Sequence, residues 1–379
     1  MTTRFLHTSD WQLGVTRRFL DADAQARWNA ARFDGIRNLG RIARDERCEF
    51  IVVAGDIFES NQVDRRTILK ACEAMADIEV PIYLLPGNHD PLDASSLFSG
   101  KVWRERKPPH VHVLAAAGTP LEVRPGIEVV GAPWTSKRPL TDLVTAAASQ
   151  LEPATRVLRV MVGHGCVDVL SPDRDNPALI RLADLENVLT EGRCHYVALG
   201  DRHSYTRLGN SGRIFYSGTH EAYDFDEVDS GKVLVVDLNA EAATVTPHPS
   251  GVWRFLVHDA QLSGTEDIEA LARHLEAVSD KERTILKLGL VGTLSIQAHA
   301  RLEELEEHAC DLFAAIVRSR SRSELVVAPD AMDFAELSLA GFAASAVEKL
   351  RAQGRAGGAD GDHATDALGL LLRLVGRTA

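Results

Sequence analysis

The sequence has few cysteines, no long apolar run and no basic surplus, and each shortage excludes something. Its five cysteines (Cys48, Cys72, Cys166, Cys194, Cys310) are odd in number, scattered, and show no Cys-x-x-Cys spacing. That pattern speaks against a disulfide frame or a cysteine zinc site and fits a reducing compartment. No stretch reaches the ~18 apolar residues of a membrane-spanning helix. Met1-Thr2-Thr3-Arg4-Phe5 lacks the apolar core of a secretory signal. The expectation is a cytoplasmic protein with no membrane partner. Positive charge is scarce: 42 Lys and Arg face 54 Asp and Glu, a formal net charge of −12. Residues 251–379 hold 14 basic and 20 acidic residues, leaving 28 and 34 for the first 250. Neither part offers the positive domain or stripe that binds nucleic acid by bulk attraction. An enzyme that borrows positive charge from metal ions is still compatible with this balance.

What is present is ordinary globular material. Hydrophobic residues make up 45% and charged residues 25% of 379, a composition that builds a core and a length that suggests about two domains. Short apolar runs recur through the first half, each ending in Gly, Asp, Asn or His. Arg4-Phe5-Leu6 stops at His7-Thr8-Ser9-Asp10, Phe50 to Ala54 at Gly55-Asp56, and Val80 to Leu85 at Pro86-Gly87-Asn88-His89-Asp90. Val157 to Val162 stops at Gly163-His164-Gly165, and Tyr196 to Leu199 at Gly200-Asp201-Arg202-His203. Continuous runs of this length read as strands buried on both faces. Helical spacing over Ala24–Arg44 and Arg65–Asp77 alternates with them, giving an α/β layered fold. Ligands in such folds bind beyond the carboxyl ends of the strands, where all five polar clusters fall.

A second region begins near Gly251. Trp253–Val257, Thr284–Leu290 and Glu324–Val327 read as strands, with helices expected over Asp267–Val278 and Ser295–Ile316. This β-α-β-α-β unit has the size of a small domain. A helix over Asp333–Ala352, a Gly-rich linker over Gln353–Asp362 and a leucine-rich helix over Ala364–Val375 complete the chain. The expected division is 1–250, 251–330 and 331–379.

Singly, the strand-end clusters are common; the ordered set is not. Asp10, Asp56, Asn88-His89, His164 and Asp201-Arg202-His203 offer carboxylate, amide oxygen and imidazole, which suit divalent transition ions. Two ions about 4 Å apart can clamp a phosphate, supply a hydroxide nucleophile and stabilise a leaving oxygen. The residues therefore read as a dinuclear metal hydrolase acting on a phosphate ester.

At these motifs the chain resembles the calcineurin-like metallophosphoesterases, and among them the SbcD-type nuclease subunits of bacterial DNA-repair complexes. His7-Thr8-Ser9-Asp10-Trp11-Gln12-Leu13-Gly14, Gly55-Asp56-Ile57-Phe58, Gly87-Asn88-His89-Asp90, Gly163-His164-Gly165 and Gly200-Asp201-Arg202-His203 carry the likeness over roughly residues 1–240. It implies a two-layered β-sheet sandwich flanked by helices, a small capping domain after Gly251, and C-terminal helices that dock a partner. It also implies that Asp56 bridges two metals, one held by Asp10 and His203 and the other by Asn88 and His164. His89 would approach the scissile phosphate as stabiliser or proton donor. The implied partners are DNA, an SbcC-type coiled-coil ATPase and a second copy of the chain.

Two positions depart from the family pattern. The usual Asp-x-His is Asp10-Trp11-Gln12, and the usual Gly-His-x-His is Gly200-Asp201-Arg202-His203. Gln12 offers a neutral amide oxygen and Asp201 an anion where imidazoles are expected. More oxygen and less nitrogen favours Mn²⁺, with Mg²⁺ or Fe²⁺ as alternatives, over Zn²⁺. Arg17, Arg18 and Arg202 are candidate contacts for substrate phosphates. The resulting reading is a Mn²⁺-dependent DNA exonuclease. The alternatives are a small-molecule or nucleotide phosphodiesterase on the same scaffold, and a non-catalytic scaffold whose metal site has degenerated.

Overall fold

A computed structural model describes residues 1–327, 342–356, 358, 360, 361, 363, 364, 367 and 368. The chain divides into two compact units, Met1–Trp253 and Arg254–Ala379.

The first unit is a sandwich of two six-stranded sheets. One is ordered β12 (Ala243–Pro249), β11 (Lys232–Asn239), β1 (Thr2–Thr8), β2 (Ile51–Val53), β3 (Ile82–Leu84), β4 (Val111–Val113). The other is ordered β5 (Pro120–Arg124), β6 (Ile127–Gly131), β7 (Leu158–His164), β8 (Tyr196–Gly200), β10 (Ile214–Tyr216), β9 (Thr206–Leu208). β1 to β4 run parallel, as do β6, β7, β8 and β10. Phe5, Phe50, Val52 and Leu234 from one sheet meet Val160, Val162, Tyr196 and Phe215 from the other in a shared apolar core. Helices cover the outer faces. α1 (Ala22–Asp45) and α2 (Arg65–Ala76) pack Ile36, Leu39, Ala71 and Met75 against the first sheet. α4 (Leu143–Ala148) and α5 (Leu182–Thr190) pack Val144, Leu185 and Val188 against the second; α3 (Lys101–Arg106) adds Trp103 to the first core. Asp21 and Asp64 start α1 and α2 by accepting the N–H groups of Ala24 and Thr67. The expected α/β sandwich with helical flanks is what forms.

The second unit is a parallel sheet built on β14 (Thr284–Leu294). β13 (Arg254–Leu262) pairs along one edge, while β15 (Ala315–Arg318) and β16 (Glu324–Val327) share the other. α6 (Thr265–Ala277) and α7 (Ile296–Leu312) bury Ile268, Leu271, Leu275 and Leu302 against Leu286, Leu288 and Leu290. Two expectations are corrected here. The helix expected over Ser295–Ile316 ends at Leu312, because β-branched Ile316 and Val317 pair with Leu286 and Lys287 as a strand. Arg318 to Arg322 therefore join two strands, not a helix and a strand. Further on, α8 (Phe342–Ala356) takes in Gln353–Ala356, the first part of the expected linker. Its single Gly354 costs a helix only about 1 kcal/mol. The expected helix start over 333–341 and most of the terminal helix after 364 lie outside the described residues.

Candidate metal centre

Five parallel strands of the first unit deliver the chemistry. β1 leads to Ser9-Asp10, β2 to Gly55-Asp56, and β3 to Gly87-Asn88-His89; β7 ends on His164 and β8 leads to Asp201. The two sheets are stitched at this end. Ser9 Oγ lies 2.9 Å from Ser217 Oγ and donates to Asp10 Oδ2 at 2.6 Å. The N–H of Asp201 donates to both carboxylate oxygens of Asp10, at 3.1 and 3.2 Å.

The backbone at these loop tips is unusual. Asp10, Gln12, Asp56 and Asp201 have φ of 52°, 47°, 53° and 99°, four of the six non-glycine residues with positive φ among those described. Such conformations cost of order 1–3 kcal/mol each and persist where surrounding structure imposes them. Here it does: Asp10 N–H donates to Gly55 O and Gln12 N–H to Asp56 O, both at 3.0 Å. Two glycines allow the approach. A Cβ on Gly87 would lie 2.1 Å from Asp56 Oδ1, and one on Gly55 would lie 2.0 Å from His164 Nδ1.

Asp10, Asp56 and His164 are buried, and each offers a ligand atom within 4.8 Å of the others. His164 Nδ1 lies 2.8 Å from the carbonyl oxygen of Ala54. That oxygen only accepts, so Nδ1 carries the hydrogen and Nε2 faces the cluster. Nε2 lies 2.7 Å from Asn88 Oδ1, 3.4 Å from Asp56 Oδ1 and 3.8 Å from Asp201 Oδ1. The His89 ring is more open: its backbone N–H donates to Asp56 Oδ1 at 3.0 Å, and its Nε2 stands 3.9 Å from Asp56 Oδ2. Gln12 Nε2 donates to Asp56 Oδ2 at 3.0 Å. Its Oε1 is buried and has no hydrogen-bond partner among the described residues. An unpaired buried amide oxygen costs about 1–3 kcal/mol, and a cation beside it would remove that cost. The donor set and this orphaned oxygen fit divalent ions.

The electrostatics point the same way. Burial, reinforced by Asp56, pushes the Asp10 carboxyl up to about 6 despite His203 and His164 nearby. Burial likewise raises Asp201. At Asp56 burial opposes ionisation, but His164 and His89 outweigh it and hold the carboxyl below its ordinary value. At His164 burial opposes the charged form, and Asp56, Asp10 and Asp201 overcome it, so the ring is held well above 6.5. Asp10 and Asp201 are thus costly to ionise in place, a cost that bound cations would offset.

Contacts join Asp10, Gln12, Asp56, Asn88, His89, His164 and Asp201. His203 follows on the Asp201 loop, raised by Glu227 and Asp10 against the effect of burial. Arg202 is exposed, its Nε on Thr206 Oγ1. It shares with Cys166, Asp201, His203, Tyr216 and Glu227 the lining of a cleft of about 340 Å³. Arg17 is engaged elsewhere: it donates to the carbonyl of Tyr223 at 2.7 Å, pairs with Asp224 at 3.1 Å and lies over the Tyr223 ring. Arg18 is exposed. Trp11 belongs to the core, fully buried.

Three residues that hold the centre together are not among the sequence-predicted site residues. Asp90 is buried and accepts the N–H groups of Gly87 at 2.8 Å and Phe58 at 3.0 Å, fastening two site loops to each other. The carbonyl of Glu59 lies 2.9 Å from His89 Nδ1, and Glu227 backs His203 at 3.0 Å. Asp90 stood in plain view within a motif; Glu227 sits in the run Asp224-Phe225-Asp226-Glu227, which resembles an exposed acidic loop.

Residues 3–145 match the calcineurin-like phosphoesterase family. The chain is 29% identical over 136 residues to the SbcD component of the nuclease SbcCD from Bacillus subtilis (strain 168), covering 35% of this chain and 28% of that protein. The match thus spans under a third of the relative's length. Among solved structures, a dimetal phosphatase from Danio rerio is 12% identical with a TM-score of 0.40, covering 64% of this chain and 98% of its own. A purple acid phosphatase from yellow lupin (Lupinus luteus) seeds is 11% identical with a TM-score of 0.38, covering 66% of this chain and 52% of its own. Among the described residues no helix is long and apolar enough to cross a membrane. Over residues 3–145 the chain is similar to the calcineurin-like phosphoesterases, and Asp10, Asp56, Asn88 and His89 of the candidate centre all fall within that stretch.

Proposed function

We propose that the protein is a Mn²⁺-dependent nuclease that hydrolyses DNA phosphodiester bonds in DNA repair. The observation that carries the chemistry is the convergence of buried Asp10, Asp56 and His164 with Asn88 and the more open His89. Asp10 and His203 would hold one ion, Asn88 and His164 a second, and Asp56 both; Gln12 and Asp201 add oxygen donors. Bound divalent ions supply Lewis acidity toward the phosphate and generate a nucleophile from water near neutral pH.

The chain's own residues supply the rest. His89, tied through Nδ1 to the Glu59 carbonyl, turns Nε2 toward the Asp56 side and can give or hold a proton at the phosphate. His164, anchored on Ala54 through Nδ1, keeps Nε2 on the cluster side. Arg202, at the rim of the cleft beside His203, is placed to meet a neighbouring phosphate. The nuclease assignment draws on the likeness to the Bacillus subtilis SbcD component. It brings with it an SbcC-type ATPase, a second copy of this chain and a cytoplasmic setting as proposed context. With a net charge of −12, DNA contact would be local and weak without such a partner.

The test is Mn²⁺-dependent digestion of end-labelled duplex and single-stranded DNA, run beside His89→Ala. Release of label that requires both Mn²⁺ and His89 is expected. Hydrolysis of a chromogenic diester without any cleavage of DNA would replace the nuclease reading with a small-molecule phosphodiesterase.

A further inference from the structure

Behind the His203 ring lies Glu227, on the segment after β10. Its Oε1 is 3.0 Å from His203 Nδ1, its Oε2 accepts the backbone N–H of Tyr223 at 2.9 Å, and its side chain is 3% exposed. An ionised carboxylate only accepts, so the hydrogen of that imidazole bond sits on Nδ1 and Nε2 is left open. The Tyr223 ring packs edge-on against His203, with centroids 4.7 Å apart and planes at 78°. Its hydroxyl reaches Glu59 Oε2 at 3.4 Å. His203 is thus gripped at one nitrogen and walled on one face, which leaves a single ring nitrogen for a ligand.

We propose that Glu227 is a positioning residue of the metal centre: it selects the tautomer and orientation of His203 that present Nε2 to a divalent ion. The proposal rests on reading His203 as a ligand. Glutamate is suited to the position in a way glutamine is not. Both groups it faces are N–H donors, and a carboxylate has an acceptor oxygen for each. An amide has one oxygen, so glutamine must leave either His203 or Tyr223 facing an NH₂ group. Carboxylates behind ligating histidines commonly change metal affinity 10- to 100-fold when removed.

The experiment compares the full chain with Glu227→Gln and Glu227→Asp by two readouts. Calorimetric titration with Mn²⁺ should show one of two binding events weakened 10- to 100-fold in Glu227→Gln, with partial recovery in Glu227→Asp. Long-range ¹H–¹⁵N spectra of the metal-free protein, recorded at a pH high enough that the ring is neutral, should show His203 as the Nδ1–H tautomer in the wild type and as a mixture in Glu227→Gln. The His203 signals are identified by their loss in His203→Gln. Wild-type Mn²⁺ affinity in a folded Glu227→Gln would overturn the proposal. So would an Nε2–H tautomer in the unaltered chain, which needs no variant to fold. Mn²⁺ binding without DNA cleavage by the wild type would defeat the nuclease reading alone; unchanged affinity in Glu227→Gln would defeat this proposal alone.

Discussion

Both units of this chain set helices against parallel strands, yet among the described residues only the first gathers potential metal ligands at its strand ends. In the second unit β13 is followed by Ser263 and Gly264, and β14 by Ser295, which caps α7 by accepting the N–H of Ala298. Gly264 and Ser295 are small residues that start helices, and their backbones are extended. In the first unit the corresponding positions carry Asp10, Asp56, His164 and Asp201, three of them at positive φ. The second unit has one such non-glycine residue among those described, Asp280 at 49°, in the turn before β14. The difference shows what a site adds to a scaffold. Strand ends that serve only folding relax into caps, while those that converge on a ligand hold strain and unneutralised charge.

The sharpest break between the units should come from paired substitutions. Asp56→Asn removes the carboxylate that His89, Gln12 and His164 all face. Mn²⁺ binding by calorimetry and phosphodiester hydrolysis should both fall to background. Leu288→Ala in the second core should cost about 2–5 kcal/mol of stability, measured by denaturant titration, with little change in Mn²⁺ affinity. If Leu288→Ala damaged metal binding as much as Asp56→Asn, the contrast would collapse.

A smaller effect should separate two glycines. Gly87→Ala would place a methyl against Asp56, and either the loop or the carboxylate must move. Metal affinity should fall at least about tenfold, with a stability loss of about 1–3 kcal/mol as expected for overpacking. Gly264 has nothing within 4 Å of an added Cβ and an extended backbone. Gly264→Ser should therefore raise stability by a few tenths of a kcal/mol through better capping of α6. Thermal melts of both variants decide the matter.

The mildest probe is pH. In the metal-free protein Asp10 titrates at about 6, raised by burial, and His164 is held well above its ordinary value by the surrounding carboxylates. Both must be deprotonated to serve as ligands, so both penalise metal binding as pH falls. Mn²⁺ affinity should weaken by roughly tenfold per pH unit for each proton displaced below its group's pKa. Isotherms at pH 7.5 and 5.5 that coincide would contradict the buried-carboxylate account.

Much of this was legible in the sequence because each piece is local. A buried parallel strand is a continuous apolar run, and the polar residue just after it is already at the ligand-binding edge. Asp10, Asp56, Asn88, His89 and His164 could be picked out that way, and the structure brings them together. Glu227 could not, because its role depends on β10 pairing beside β8, which brings the loops after the two strands together. Three-residue strands such as β9 and β10 are too short to show a period. The end of α7 is hidden in the sequence for a related reason: Leu312, Phe313 and Ile316 continue an apolar pattern, and only the pairing of Ala315–Arg318 with β14 reveals the change to strand. Arg17 illustrates the reverse, a basic residue near the site whose guanidinium is committed to Tyr223 and Asp224.

The most direct test of the central claim, a two-ion centre at the strand ends of the first unit, is anomalous X-ray diffraction from crystals soaked in Mn²⁺. The account predicts two peaks flanking Asp56, one beside Asp10 and His203 and the other beside Asn88 and His164. Peaks only elsewhere on the chain, or none at millimolar Mn²⁺, would contradict it.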